Sequence, residues 1–122
     1  MTGGQMAPTT LVGQVTSTTP MGRTVELNGY PLKITELIAQ LPGVHYCTRQ
    51  SVHTAATVRR CKNAIRKAFQ NVMDKKGTSF VEVTSTCNSG WKMTPVQAND
   101  WMAEHMFTEY PQGELKDNDK KG

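Results

Sequence analysis

Val44-His45-Tyr46-Cys47-Thr48-Arg49-Gln50-Ser51-Val52 leads through His53-Thr54 into a long periodic segment, which closes at Asp74-Lys75-Lys76-Gly77 just before Phe80-Val81-Glu82-Val83-Thr84. The β-branched and aromatic content at both ends predicts strands. Between them, Thr54 suits an N-cap, and Val58, Cys61, Ala64, Ile65, Ala68, Phe69 and Val72 make one apolar face over about five helical turns. Gly77 supplies the C-terminal stop. Two strands joined by a long helix predict a parallel pair, because parallel strands need a crossover that a hairpin cannot provide.

Upstream, Leu32, Ile34, Leu37, Ile38 and Leu41 mix spacings of three and four, which predicts a short helix over 34–41 ended by Pro42-Gly43. Downstream, Ser85-Thr86-Cys87-Asn88-Ser89-Gly90-Trp91 reads as a loop. Thr94-Pro95-Val96-Gln97 is a capping box with proline at its first helical position. The helix it opens should run to about Phe107 with Ala98, Trp101, Met102 and His105 on one side, and Tyr110-Pro111 breaks it. Residues 1–31 are rich in Thr, Gly and Pro without periodicity, so they are either disordered or a cofactor loop. Residues 114–122 are charged and are expected to be a disordered tail.

The fold class that follows is α/β, with a parallel sheet flanked by helices. Two strands cannot complete such a sheet, so further strands are expected from chain outside these residues or from a partner. One domain fits in 122 residues, and 37% hydrophobic residues are lean for a core. No apolar run is long enough to span a membrane, and the N-terminus lacks the basic-then-apolar order of a secretory signal. Cys47, Cys61 and Cys87 are odd in number and form no C-x-x-C, which points to a reducing, cytoplasmic setting. His45, His53 and His105 lack zinc-ligand spacing.

The net charge of +4 is concentrated on the central helix and its end, at Arg59, Arg60, Lys62, Arg66, Lys67, Lys75 and Lys76. A solvated face is the plain reading, and steering of an acidic redox partner is the sharper one. Nucleic-acid binding is the weaker option, because no nucleic-acid-binding motif appears among these charges. Thr2-Gly3-Gly4-Gln5 carries the clearest chemistry. A glycine pair flanked by hydroxyl and amide groups lets backbone N–H groups approach an oxyanion closely. Cys87 is either a small buried group or a thiolate ligand, whereas Cys47 and Cys61 fall on core positions. Trp91 and Trp101 suit apolar docking.

Five segments in order carry a resemblance: Thr2-Gly3-Gly4-Gln5-Met6-Ala7-Pro8-Thr9, Ser51-Val52-His53-Thr54, Phe80-Val81-Glu82-Val83, Cys87 through Ala98, and Tyr110 through Asp117. Together they resemble the C-terminal part of the thiamine-diphosphate-binding beta subunit of 2-oxoacid:ferredoxin oxidoreductases, over residues 1–117. The resemblance implies that 1–113 form an incomplete thiamine-diphosphate-binding domain. It also implies oxidative decarboxylation of a 2-oxoacid to an acyl-CoA, with electrons passed to ferredoxin. Thr2, Gly3, Gly4 and Gln5 would lie against thiamine diphosphate, and Cys87 would be a conditional ligand of a [4Fe–4S] cluster. The partners implied are an alpha subunit, ferredoxin, coenzyme A and the 2-oxoacid, with no nucleic acid and no membrane. Met1 stands where pyruvate-type members carry Asn, which makes 2-oxoglutarate the first expectation and pyruvate or a branched-chain 2-oxoacid the alternatives. The family's Gly-Asp-Gly segment, whose Asp binds Mg²⁺, does not occur here, so the chain alone is expected to be an inactive fragment. The other reading is a non-catalytic interaction module derived from the same scaffold.

Overall fold

A computed structural model describes residues 7–120. In order they form α1 (Val25–Asn28), α2 (Ile34–Ala39), β1 (Val44–Ser51), α3 (Ala55–Met73), β2 (Thr78–Thr84), α4 (Pro95–Trp101), a π-helical turn (Met102–Met106), α5 (Phe107–Glu109), β3 (Gly113–Asp117) and a 3-10 turn (Asn118–Lys120). They group into two compact units, one within residues 7–33 and 85–110, the other within 34–84 and 111–120.

The second unit is an α/β layer whose sheet runs β2-β1-β3. β1 and β2 are parallel, with Cys47 opposite Phe80 and Ser51 opposite Thr84, and α3 makes the crossover. Thr54 opens α3 through a reciprocal capping box with Thr57, each side chain accepting from the other's backbone N–H at 3.2 and 2.9 Å. β1 is central, and all its residues but His45 and Gln50 are buried. The single apolar face expected on α3 is split. Thr57, Cys61, Ala64 and Asn71 form its buried stripe, whereas Val58, Ile65, Phe69 and Val72 are exposed. Cys47 and Cys61 are core residues as expected.

The third strand comes from the segment expected to be a disordered tail. β3 pairs antiparallel with β1, so the sheet is mixed. Its charges are paired: Asp117 pairs with Lys67, the Lys116 ammonium donates to the Leu41 carbonyl at 2.9 Å, and the exposed Glu114 pairs with Lys120. The Thr48 hydroxyl donates to the Gly113 carbonyl at 2.8 Å, pinning the start of the strand.

In the first unit, the described part of the Thr/Gly/Pro-rich segment is ordered by turns. Thr10 N–H donates to the Ala7 carbonyl and Gln14 N–H to Leu11, both at 3.0 Å. Thr24 caps the short α1, a helix within the stretch expected to lack periodicity. Met102, Met106 and Tyr110 form the core, with Leu11, Trp91, Trp101 and Phe107 packed on it. The expected helix face is corrected here. The π turn keeps Met102, Met106 and Tyr110 inward at spacings of four, and it leaves His105 exposed, stacked on Trp101 at 4.8 Å.

Candidate functional site

Thr2, Gly3, Gly4 and Gln5 lie outside the described residues. The chain that follows them is organised by one side chain. Arg23 is 5% exposed, and its guanidinium donates to six backbone carbonyls. Nε reaches Gly29, Nη1 reaches Ala7, Pro8 and Thr10, and Nη2 reaches Asn28 and Tyr30, at 2.8 to 3.2 Å. Five N–H donors in a rigid fork suit this convergence of carbonyls. The Tyr110 hydroxyl adds a hydrogen bond to the Thr9 carbonyl at 3.1 Å. Nothing in the local pattern around Arg23 distinguished it from a surface cation.

Cys87 is buried in the first unit, where its carbonyl accepts from Trp91 N–H at 3.0 Å. Among the described residues, the metal-competent group is His45, Asp117 and Asp119, and it does not include Cys87. Cluster ligation at Cys87 would therefore draw its other thiolates from outside the described residues. The His45 group is already engaged in charge pairing: Asp119 bonds Lys76 and His45 at 3.1 Å each, and Asp117 pairs with Lys67. The Lys76 ammonium beside Asp119 holds that carboxyl below its usual range. Next to this group is a shallow cleft of about 400 Å³ whose charged lining is Arg66, Lys67, Lys76 and Asp119.

The second unit carries a buried charge cluster that sequence reasoning missed. Arg49 has no exposed surface. Its Nε donates to Glu82 at 2.7 Å, and its two Nη atoms donate to the Glu36 carboxylate at 2.8 and 2.6 Å. The Thr35 hydroxyl also donates to Glu82. Burial pulls the guanidinium's pKa down, but the hydrogen bonds with Glu36 and Glu82 more than offset it and hold it above its ordinary value. The Cys47 thiol beneath is pushed up by burial and then by the Glu36 charge, so it stays protonated and unreactive. The available signal was an Arg in the first predicted strand and a Glu in the second; they face each other in the parallel register.

At the carboxyl ends of the parallel strands, Ser51 Oγ and His53 Nδ1 lie 2.9 Å apart. The Thr84 hydroxyl donates to Gln50 O at 3.1 Å and meets Gln112 Oε1 at 3.3 Å. These polar groups stand at the edge where open parallel sheets receive ligands.

The class defined so far is an α/β protein with polar groups at the carboxyl ends of its parallel strands. No protein-family model matches the chain, and no solved structure does. Over 117 residues it is 41% identical to the ketoisovalerate oxidoreductase subunit VorA of Methanothermobacter thermautotrophicus and 39% identical to that of Methanothermobacter marburgensis, covering 96% of this chain and 24% of each relative. It is 34% identical over 87 residues to the 2-oxoglutarate synthase subunit KorB of Methanothermobacter marburgensis, covering 71% of this chain and 26% of that protein. The chain spans about a quarter of the length of these curated relatives. Nearly all of it is thus homologous to a segment of an oxidoreductase subunit. No helix among the described residues is long and apolar enough to cross a membrane.

Proposed function

We propose that the chain is a segment of a 2-oxoacid:ferredoxin oxidoreductase subunit, acting in the cytoplasm on a branched 2-oxoacid of the ketoisovalerate type. The observation that carries this reading is the 41% identity over 96% of the chain. It moves the substrate away from 2-oxoglutarate, expected first from Met1, since the 2-oxoglutarate synthase subunit matches less of the chain at lower identity. The parent reaction is oxidative decarboxylation to an acyl-CoA with electrons passed to ferredoxin, in company with an alpha subunit. Thiamine diphosphate with Mg²⁺ is the cofactor in this reading, and when bound it supplies the carbanion stabilisation. Thr2, Gly3, Gly4 and Gln5 are this chain's contacts to it, and Cys87 is the candidate [4Fe–4S] ligand.

The test is coenzyme-A-dependent reduction of ferredoxin by the purified parent enzyme. Ketoisovalerate should exceed 2-oxoglutarate in kcat/KM by about tenfold or more, since a pocket shaped for a branched apolar side chain leaves a second carboxylate unpaired. A faster reaction with 2-oxoglutarate reverses the substrate assignment. No reaction with any 2-oxoacid overturns the class.

A further inference from the structure

β3 and the 3-10 turn after it are held to the sheet by two unlike sets of contacts. At the start, buried groups grip residues 111–113. The Arg49 guanidinium donates to the Pro111 carbonyl at 3.2 Å, the Thr48 hydroxyl to the Gly113 carbonyl at 2.8 Å, and Thr84 Oγ1 meets Gln112 Oε1 at 3.3 Å. Arg49, Thr48 and Thr84 are fully buried, out of reach of dissolved ions. From Lys116 onward the contacts are charged and reach the surface. Asp117 pairs with Lys67 at 2.5 Å, Asp119 with Lys76 and His45 at 3.1 Å each, and the Lys116 ammonium reaches the Leu41 carbonyl. The Lys67 and Lys76 side chains are 30% and 36% exposed. The Glu114–Lys120 pair lies within the segment itself and does not tie it to the sheet. Between the two sets the ladder is broken. Thr48 stands opposite Glu114 and Cys47 opposite Lys116, so Leu115 bulges out of register. Leu115 is also the one apolar side chain of 113–120, and it is only half-buried.

We propose that residues 116–120 are a salt-sensitive latch, which detaches from β1 as a unit while 111–114 stay clamped. The inference does not depend on the proposed chemistry. A segment with few buried apolar contacts has low local stability. Leu115 supplies little such burial, so the ion pairs decide whether the segment stays down. Exposed pairs weaken as the Debye length falls from about 10 Å at 0.1 M salt to about 3 Å at 1 M. The Lys76 ammonium holds the Asp119 carboxyl below its usual range, so that partner stays ionised at neutral pH. What detachment uncovers is defined by the register. The edge of β1 loses its β3 partners at Tyr46 and Cys47, which remain paired with β2 on the other side. The cleft along α3 loses Asp119 from its lining, and the charges left there are the cations Arg66, Lys67 and Lys76. The device thus couples ionic strength to an open strand edge and a cationic cleft.

The test is hydrogen exchange read by mass spectrometry on the native assembly, with overlapping peptides that separate 111–114 from 116–120. Rates are taken relative to the unfolded chain in the same salt. Raising sodium chloride from roughly 0.1 to 1 M should speed exchange in 116–120 about fivefold, with 111–114 and β1 unchanged. At the lower salt, Asp117→Asn should speed 116–120 about tenfold and Asp119→Asn about threefold, again leaving 111–114 as it was. Exchange in 116–120 that ignores salt overturns the proposal. So does acceleration of 111–114 or of β1 in step with 116–120, in salt or in either variant, because the strand or the whole sheet then opens as one.

Discussion

Arg49 and Arg23 are both buried, yet they hold their charge by different means. Arg49 relies on two carboxylates from different elements, Glu36 of α2 and Glu82 of β2, so it ties that helix to the sheet. Arg49→Met should destabilise the chain by about 3–5 kcal/mol, because it strands two acids in a poorly solvated place. Replacing all three with apolar residues (Arg49→Met with Glu36→Leu and Glu82→Leu) should recover most of that loss. Urea unfolding of the three proteins measures both effects. Tyr46 makes a second residue-scale case. Burial, partly opposed by the hydrogen bond with Thr48 and reinforced by the Glu114 and Asp117 charges, pushes its phenol up to about 12. A raised folded pKa favours the protonated form, so its contribution is whole below the ordinary tyrosine value of about 10 and is lost as pH rises towards 12. The urea midpoint of Tyr46→Phe should lack that alkaline decline. None of this was legible from the sequence, because a cation in a strand reads as surface until its register partner is known.

Elements were more readable than residues, and the reason is local chemistry. Thr54 and Thr94 announce their helices through capping side chains, and both make the reciprocal bonds that their spacing implies. Thr54→Ala should cost about 1 kcal/mol in an unfolding measurement. β3 was missed because Glu114, Lys116 and Asp117 match the composition of a solvated tail, and their partners Lys120, Leu41 and Lys67 are distant or unremarkable in sequence. Gly113 starts this strand at φ +126, where a side chain is strained even though space is open. Gly113→Ala should therefore cost about 1–2 kcal/mol. The cost should appear as faster hydrogen exchange across 113–117 than across β1. The π turn was equally hidden, since Met102, Met106 and Tyr110 fit a plain helix until Trp101 and His105 are seen stacked.

At the scale of the whole molecule, the α/β class followed from a single strand–helix–strand pattern, whereas the proposed substrate rests on likeness to relatives four times as long. Thr2 to Gln5, the strongest chemical motif in the sequence, lies outside the described residues, so the readable fold and the readable site barely overlap. The further strands were expected from outside these residues or from a partner, yet β3 comes from the chain's own charged segment, and among the described residues β2 has no strand on its outer side. Charged residues blunt the β3 edge, while Phe80, Val81 and Val83 leave β2 apolar. The 122-residue chain should therefore self-associate as its concentration rises, and Val83→Lys should suppress this in light scattering behind a sizing column. Arg23 has a different consequence. Its lock recognises peptide carbonyls, which every amino acid carries. Beyond the positive-φ glycines Gly13, Gly22 and Gly29 and the hydrogen-bonding side chains of Thr10, Gln14, Thr16, Thr19 and Thr24, the shape therefore asks little of residues 7–30. The exposed remainder of that loop is free to be rewritten, by divergence or by design, for as long as the guanidinium and those few residues stay in place.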